Sequence, residues 1–244
     1  MLIFAHRGAS GYQTENTLAA MQAALALGVE AIELDVHNVE GQLIVFHDRR
    51  LESKSTGKGL IKHKTLAELQ HINIKGHSIP TLWQVLSVIN GQCIVNIELK
   101  GDNTVAPMVA MYDDVISQLH FTPAQLLFSS FNHPYLAQLK QAKPEAYVAP
   151  LLGGIPLDLA KSVSDLNAYS LHIDLSFISQ ALIDDAHQRG AKVYVYTVDN
   201  PDDIRALRAI GVDGVFSNYP DKAKAAIIDN ERQYQGWFES GKTR

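Results

Sequence analysis

Short runs of β-branched and aliphatic residues alternate with longer segments of helical period along almost the whole chain. The runs that read as strands are LIFA (2–5), EAIELDV (30–36), CIVNIEL (93–99), LLFSS (126–130), AYVAPL (146–151), AYSLHI (168–173), KVYVYTV (192–198) and DGVFS (213–217). Segments between them, among them Thr17 to Leu27, Val105 to Leu119, Ser179 to Arg189 and Asp202 to Ile210, read as helices, and Gly28, Gly190 and Gly211 follow three of these as terminators. Strands that alternate with helices build a parallel sheet, and eight such units in one chain predict an α/β fold of the TIM (β/α)8 barrel type.

The spacing is uneven in one place, where 56 residues separate the second strand from the third. Within that stretch VEGQLIVF (39–46) has a turn at Glu40-Gly41 followed by an extended run, the pattern of a hairpin folded back on the second strand. Residues 49–80 form a polar, basic insertion with a short helix around Thr65 to His71. The chain therefore reads as one barrel domain over 1–244 with a small inserted subdomain at about 49–80. The segment from Asn230 to the end is polar except for Trp237 and Phe238, and reads as a frayed tail or a docking element.

With 244 residues and 46% apolar content the chain can build one large core, which excludes intrinsic disorder. The net charge of -5 gives no general attraction for nucleic acid or an anionic membrane. The charge is uneven, since six basic residues and one acid between Arg49 and Lys64 make that stretch +5. Beside a binding site it would be a basic lip for an anionic substrate; elsewhere it would be solvated surface. The lone cysteine, Cys93, lies in an apolar run and reads as a buried hydrophobe. The start MLIFAHRG lacks the basic leader and longer apolar stretch of a signal peptide. The uncharged run Ser78 to Ile97 is broken by Gln84, Asn90, Gly91, Gln92 and Asn96, which argues against a membrane span. These features lead to the expectation of a cytoplasmic protein without integral membrane association.

Alternation along a strand puts residues i and i+2 on one face. Glu33 and Asp35 in IELDV therefore point the same way, as do Asn96, Glu98 and Lys100 in NIELK. Both sets fall at the C-terminal ends of their strands, where TIM barrels build active sites. Three converging carboxylates repel one another unless a cation sits among them, and oxygen donors without cysteine favour Mg²⁺ or Ca²⁺. Glu33, Asp35 and Glu98 are thus candidate ligands of one divalent metal ion, Mg²⁺ first and Ca²⁺ as the alternative; a salt bridge to Lys100 is the other use for such acids. His6 and Arg7 directly follow the first strand, and His47 and Asp48 end the run after the hairpin, so both histidines belong to the same mouth. Two imidazoles can serve as general base and general acid, and the guanidinium is a fork for phosphate or carboxylate. Ser130, Asn132, His172, Tyr196 and Thr197 also fall near strand ends and are candidates for lining the pocket. GxGxxG, P-loop, CxxC and GxSxG patterns are all absent, which removes dinucleotide, nucleoside-triphosphate, structural-zinc and serine-hydrolase readings.

The ordered strings AHRGASGYQTENTLAA, EAIELDV, LIVFHD, IPTL, VNIELK, SSFN, VYTVDN and GVDGVFSNYPD together resemble the glycerophosphodiester phosphodiesterase family from Phe4 to about Asp221, and among its members most of all the short bacterial cytoplasmic ones. The resemblance implies a TIM barrel with a small insertion after the second strand. It also implies metal-dependent hydrolysis of a small-molecule glycerophosphodiester to sn-glycerol 3-phosphate and an alcohol. Its metal carboxylates fall on Glu33, Asp35 and Glu98, its catalytic histidines on His6 and His47, its phosphate-binding arginine on Arg7, its ENT motif on Glu15, Asn16 and Thr17, and its lysine beside the metal on Lys100; Arg7, Lys100, Glu15 and Asn16 are thereby expected to bind the substrate. This chain has Tyr196 where many members carry Trp, and LESKSTGKG in the insertion where the family often has an arginine and paired threonines. Two alternatives accompany this reading: a lysophospholipase D acting on lipid-tailed substrates, which needs an apolar approach to the site, and a barrel that binds glycerophosphodiesters without cleaving them. The oligomeric state is left open.

Overall fold

A computed structural model describes residues 1–228; the expectations for the segment from Asn230 onward lie outside the described residues. In chain order the elements are β1 (Leu2–Ala5), α1 (Leu18–Ala26), β2 (Ala31–Val39), β3 (Gln42–Val45), α2 (Leu66–Leu69), β4 (Asn73–Ile74), β5 (His77–Ser78), α3 (Leu82–Ile89), β6 (Ile94–Leu99), α4 (Val105–Gln118), β7 (Leu126–Ser130), α5 (His133–Ala142), β8 (Tyr147–Leu152), α6 (Lys161–Leu166), β9 (Ser170–Asp174), α7 (Gln180–Gln188), β10 (Lys192–Tyr196), α8 (Pro201–Ala209), β11 (Gly214–Ser217) and α9 (Pro220–Ile228). The sheet runs β1-β11-β10-β9-β8-β7-β6-β2, and β1 also pairs in parallel with β2, which closes eight parallel strands into a barrel. All eight predicted strands are present.

Alternation sorts the side chains of each strand. Ile32, Leu34 and Val36 of β2 and Val95, Ile97 and Leu99 of β6 face outward into the apolar layer shared with the helices. Their neighbours face inward. The lower part of the barrel interior is filled by Phe4, Ala31, Leu127, Ala149, Tyr194 and Phe216, with Phe4 stacked on Phe216 at 4.5 Å between ring centroids. One step further along β2 and β6 the inward positions become Glu33 and Asn96, then Asp35 and Glu98. The interior thus changes from hydrocarbon to ionic toward the C-terminal mouth, where all the strand-to-helix loops gather.

The hairpin is tight. Glu40 and Gly41 both have positive φ (50° and 84°), as a two-residue primed turn demands, and β3 returns antiparallel with Val36 opposite Val45. Phe46 N–H then donates to Asp35 O at 3.1 Å, so the following residue, His47, hangs over the acids of β2. The insertion has its own small core of Leu51, Ile61, Leu69 and Ile74 packed on Val39, Ile44 and Phe46. Its helix α2 opens on a reciprocal cap between Thr65 and Glu68. The β4–β5 ribbon within it was not visible in the pattern of apolar positions, because each strand is only two residues long.

Gly8 sets the path out of β1. It has φ 78°, and a Cβ there would meet the Ala20 backbone at 2.7 Å, so only glycine lets the loop turn against α1 directly after His6 and Arg7.

Candidate active site

Six strands and the hairpin bring the predicted residues to one mouth. Glu33, Asp35 and Glu98 are buried, and one oxygen of each lies within 4.8 Å of the others. Asp35 and Glu98 are register partners across β2 and β6. Lys100 Nζ donates to Glu98 Oε1 at 3.0 Å and sits 3.5 Å from Asp35 Oδ1. Arg7 lies on the other side, with Nε 3.4 Å from Asp35 Oδ2. Its φ of 55° is left-handed, unusual for a non-glycine residue, and turns its N–H onto Glu33 Oε2 at 2.9 Å.

Charge decides what this cluster can hold. Burial, then Asp35 and Glu98, drive Glu33 well above the usual carboxylate range, Arg7 only partly opposing them. Burial and Asp35 likewise push Glu98 up to about 7 against the pull of Lys100. Asp35 is also opposed by burial, yet Arg7, Lys100, His47 and the Asn16 amide together hold it below its ordinary value. Three acids outnumber the two cations that touch them, and all the donors are hard oxygens. The residues fit a divalent cation, which would relieve the repulsion that burial imposes.

The ENT segment supports the acids from outside. Asn16 Nδ2 donates to Asp35 Oδ2 at 2.9 Å, and Glu15 Oε1 accepts from Arg7 Nη1 at 2.9 Å and from Lys54 Nζ. Thr17 caps α1 by accepting from Ala20 N–H. Glu15 thereby links the arginine to the insertion, a role for Lys54 that the sequence did not separate from the other lysines.

Both histidines offer Nε2 to this centre. His6 Nε2 is 3.9 Å from Glu33 Oε2, and its Nδ1 is 2.8 Å from Asn218 Oδ1. His47 Nε2 is 4.0 Å from Asp35 Oδ1, and its Nδ1 is 2.5 Å from Asp48 Oδ1. Burial first, and Arg7 second, lower His6 to about 4, whereas His47 is lowered by burial against the opposing pull of Asp35 and Asp48. His37, which the sequence did not single out, has Nε2 3.1 Å from His47 O and pins the backbone of the hairpin's exit.

These groups open onto a cavity of about 210 Å³ whose far wall is Ser129, Phe131, Leu151, His172 and Tyr196. Tyr196 donates its hydroxyl to Leu152 O at 2.8 Å and meets Phe131 edge-on at 6.2 Å. His172 is fully buried. Its Nε2 is 3.0 Å from Ser170 Oγ, while Nδ1 has no hydrogen-bond partner among the described residues. Ser130 points elsewhere: its hydroxyl donates to Leu99 O at 2.8 Å and accepts from Asn132 N–H at 3.0 Å. Its neighbour Ser129 faces the cavity, because β7 alternates and Leu127, two residues before it, is already an inward residue.

Comparison with known proteins places this architecture. Residues 6–222 match the model of the glycerophosphoryl diester phosphodiesterase family, and the chain belongs to that family. It is 31% identical over 231 residues to a glycerophosphodiester phosphodiesterase of Caldanaerobacter subterraneus, covering 90% of this chain and 95% of the relative. A Bacillus altitudinis glycerophosphodiester phosphodiesterase is also 31% identical, with 91% of this chain and 96% of the relative covered. Among solved structures, an Oleispira antarctica phosphodiesterase in complex with the product sn-glycerol-3-phosphate superposes with a TM-score of 0.85 at 32% identity, over 93% of this chain and 97% of that one.

Proposed function

We propose that this protein hydrolyses glycerophosphodiesters to sn-glycerol 3-phosphate and an alcohol, with Glu33, Asp35 and Glu98 holding one divalent cation, Mg²⁺ in preference to Ca²⁺. The observation that carries this reading is the meeting of Arg7, Lys100 and two histidine Nε2 atoms around one buried acid triad, in a chain of a phosphodiesterase family.

When bound, the cation supplies positive charge to the phosphate oxygens and orients the glycerol hydroxyls. Arg7 offers its guanidinium to the non-bridging oxygens, held in place by Glu15, and Lys100 adds a second cation on the opposite side. One histidine takes the proton of the attacking hydroxyl, from water or from the substrate's own 2-hydroxyl, and the other returns a proton to the departing alcohol. Ser129, His172 and Tyr196 line the space around the substrate, and Asn16 keeps the Asp35 carboxylate oriented. Residues 49–80 act as a small subdomain inserted into a single barrel unit, with basic side chains at the lip. No helix among the described residues is long and apolar enough to cross a membrane, and the lone cysteine is consistent with a cytoplasmic setting.

A second reading concerns lipid-tailed substrates. Phe131 lines the cavity yet is 52% exposed, and Ile155 and Leu157 in the loop after β8 are exposed as well. These loops leave the C-terminal ends of their strands, so apolar side chains stand at the mouth across from the acids. Turnover of glycerophosphocholine and lysophosphatidylcholine by the pure protein tests both readings. Metal-dependent release of sn-glycerol 3-phosphate from the first supports the main one. Preferential release of choline and lysophosphatidic acid from the second favours the lipid-tailed reading, and turnover of neither substrate, with metal bound, overturns both.

A further inference from the structure

We infer that Asp199 is a positioning residue which, acting through Asn218, fixes the ring nitrogen of His6 that carries the proton and so aims an unprotonated Nε2 at the reacting centre. This rests on the proposed role of His6 and adds the device that prepares it.

Asp199 follows β10, Asn218 follows β11 and His6 follows β1, three neighbours in the closed sheet. Asp199 accepts three hydrogen bonds: Oδ1 from Ser217 Oγ at 2.9 Å and from Asn218 N–H at 2.8 Å, and Oδ2 from Asn218 Nδ2 at 2.7 Å. A carboxylate has nothing to donate, so the carboxamide atom that faces it must be the amide nitrogen. The other end of Asn218 is then an oxygen, and that oxygen lies 2.8 Å from His6 Nδ1. An oxygen accepts, so Nδ1 donates. A neutral imidazole has one N–H, and with the proton on Nδ1 the lone pair lies on Nε2, the nitrogen 3.9 Å from Glu33.

Ser10 reinforces the arrangement. Its hydroxyl lies 2.7 Å from both His6 O and Asn218 Oδ1, and in donating to Asn218 Oδ1 it favours the amide orientation that turns the oxygen toward His6. Without Asp199 the carboxamide could rotate to face His6 with its NH₂, which would put the histidine proton on Nε2 and remove the lone pair aimed at the centre. The parallel device at His47 needs no relay, because Asp48 touches Nδ1 directly.

The test reads the tautomer itself. In full-length protein labelled with ¹⁵N-histidine, the His6 ring is assigned by its disappearance in His6→Gln and followed by long-range proton–nitrogen correlation at pH 8. Wild type should show Nδ1–H and an unprotonated Nε2. Asp199→Asn, which keeps the shape but can donate, and Asn218→Leu, which removes the relay, should each shift the ring toward Nε2–H. Each should also lower kcat by about tenfold or more with KM held within about twofold, since a wrong tautomer behind a catalytic histidine can cost up to about 10⁴. Circular dichroism shows which of the two variants is folded, and the tautomer is judged on a folded one. Protonated Nε2 in the wild type, or an unchanged tautomer in a folded variant even where kcat falls, overturns the inference. Loss of the hydrolysis reading is seen separately, as absent turnover in the wild type.

Discussion

Asp35 and Glu98 face each other as register partners on adjacent parallel strands, and Lys100 Nζ lies within 3.5 Å of both carboxylates. The lysine cannot neutralise them alone, because Glu33 completes a buried triad. The three acids together form a cluster that could hold a metal ion.

Glu98→Gln removes one donor while keeping the volume. It should weaken divalent-cation binding by more than the roughly 10- to 100-fold that follows loss of a ligand's hydrogen-bond partner, and turnover should fall with it. Titration calorimetry with Mg²⁺ and Ca²⁺ measures the first and product release the second. Protein shown to be metal-free after EDTA treatment that still turns over at the full rate would remove the metal from the mechanism.

His6→Ala and His47→Ala each delete a proton-transfer group without deleting a carboxylate. Turnover should drop by about 10² to 10⁴ in each, while metal affinity stays near that of wild type. Normal turnover in either variant assigns that histidine to packing.

The basic insertion divides into two kinds of lysine. Lys54 reaches Glu15 and belongs to the support of Arg7, whereas Lys62 pairs with Asp102 at the surface, Lys64 just before α2 pairs with Glu68 of that helix, and Lys58 is exposed. Replacing Lys58, Lys62 and Lys64 with Gln should lower kcat/KM at low ionic strength and leave kcat nearly unchanged, since steering is screened over about 8 Å at physiological salt. Identical salt dependence in wild type and the triple variant would show that these side chains are ordinary surface.

His172 should make the fold acid-sensitive. Burial holds it at about 3, whereas an unfolded histidine titrates near 6.5. Between these values the unfolded chain binds the extra proton, so the stability that a neutral His172 contributes is complete above about 6.5 and is lost as pH falls toward 3. Urea midpoints of His172→Gln should therefore decline less than those of wild type between pH 7 and pH 4.5. Parallel declines would locate the acid sensitivity elsewhere.

The strands, the hairpin and the shared face of Glu33 and Asp35 are legible in the sequence, because alternation and turn chemistry are local properties that a few consecutive residues fix. The sequence also brought His6, Arg7, His47, Glu98 and Lys100 to one rim, since parallel strands put all their C-terminal ends on the same side. Which of two adjacent serines, Ser129 and Ser130, faces the cavity is not legible there, because it depends on which phase of the β7 alternation the barrel interior takes. Closure of the sheet likewise placed Asn218 beside His6, 212 residues away in the chain, and the fold of the insertion carried Lys54 to Glu15. Side-chain periodicity says which residues share a face, but the hydrogen bonds that orient a catalytic ring come from whichever strand the barrel makes its neighbour.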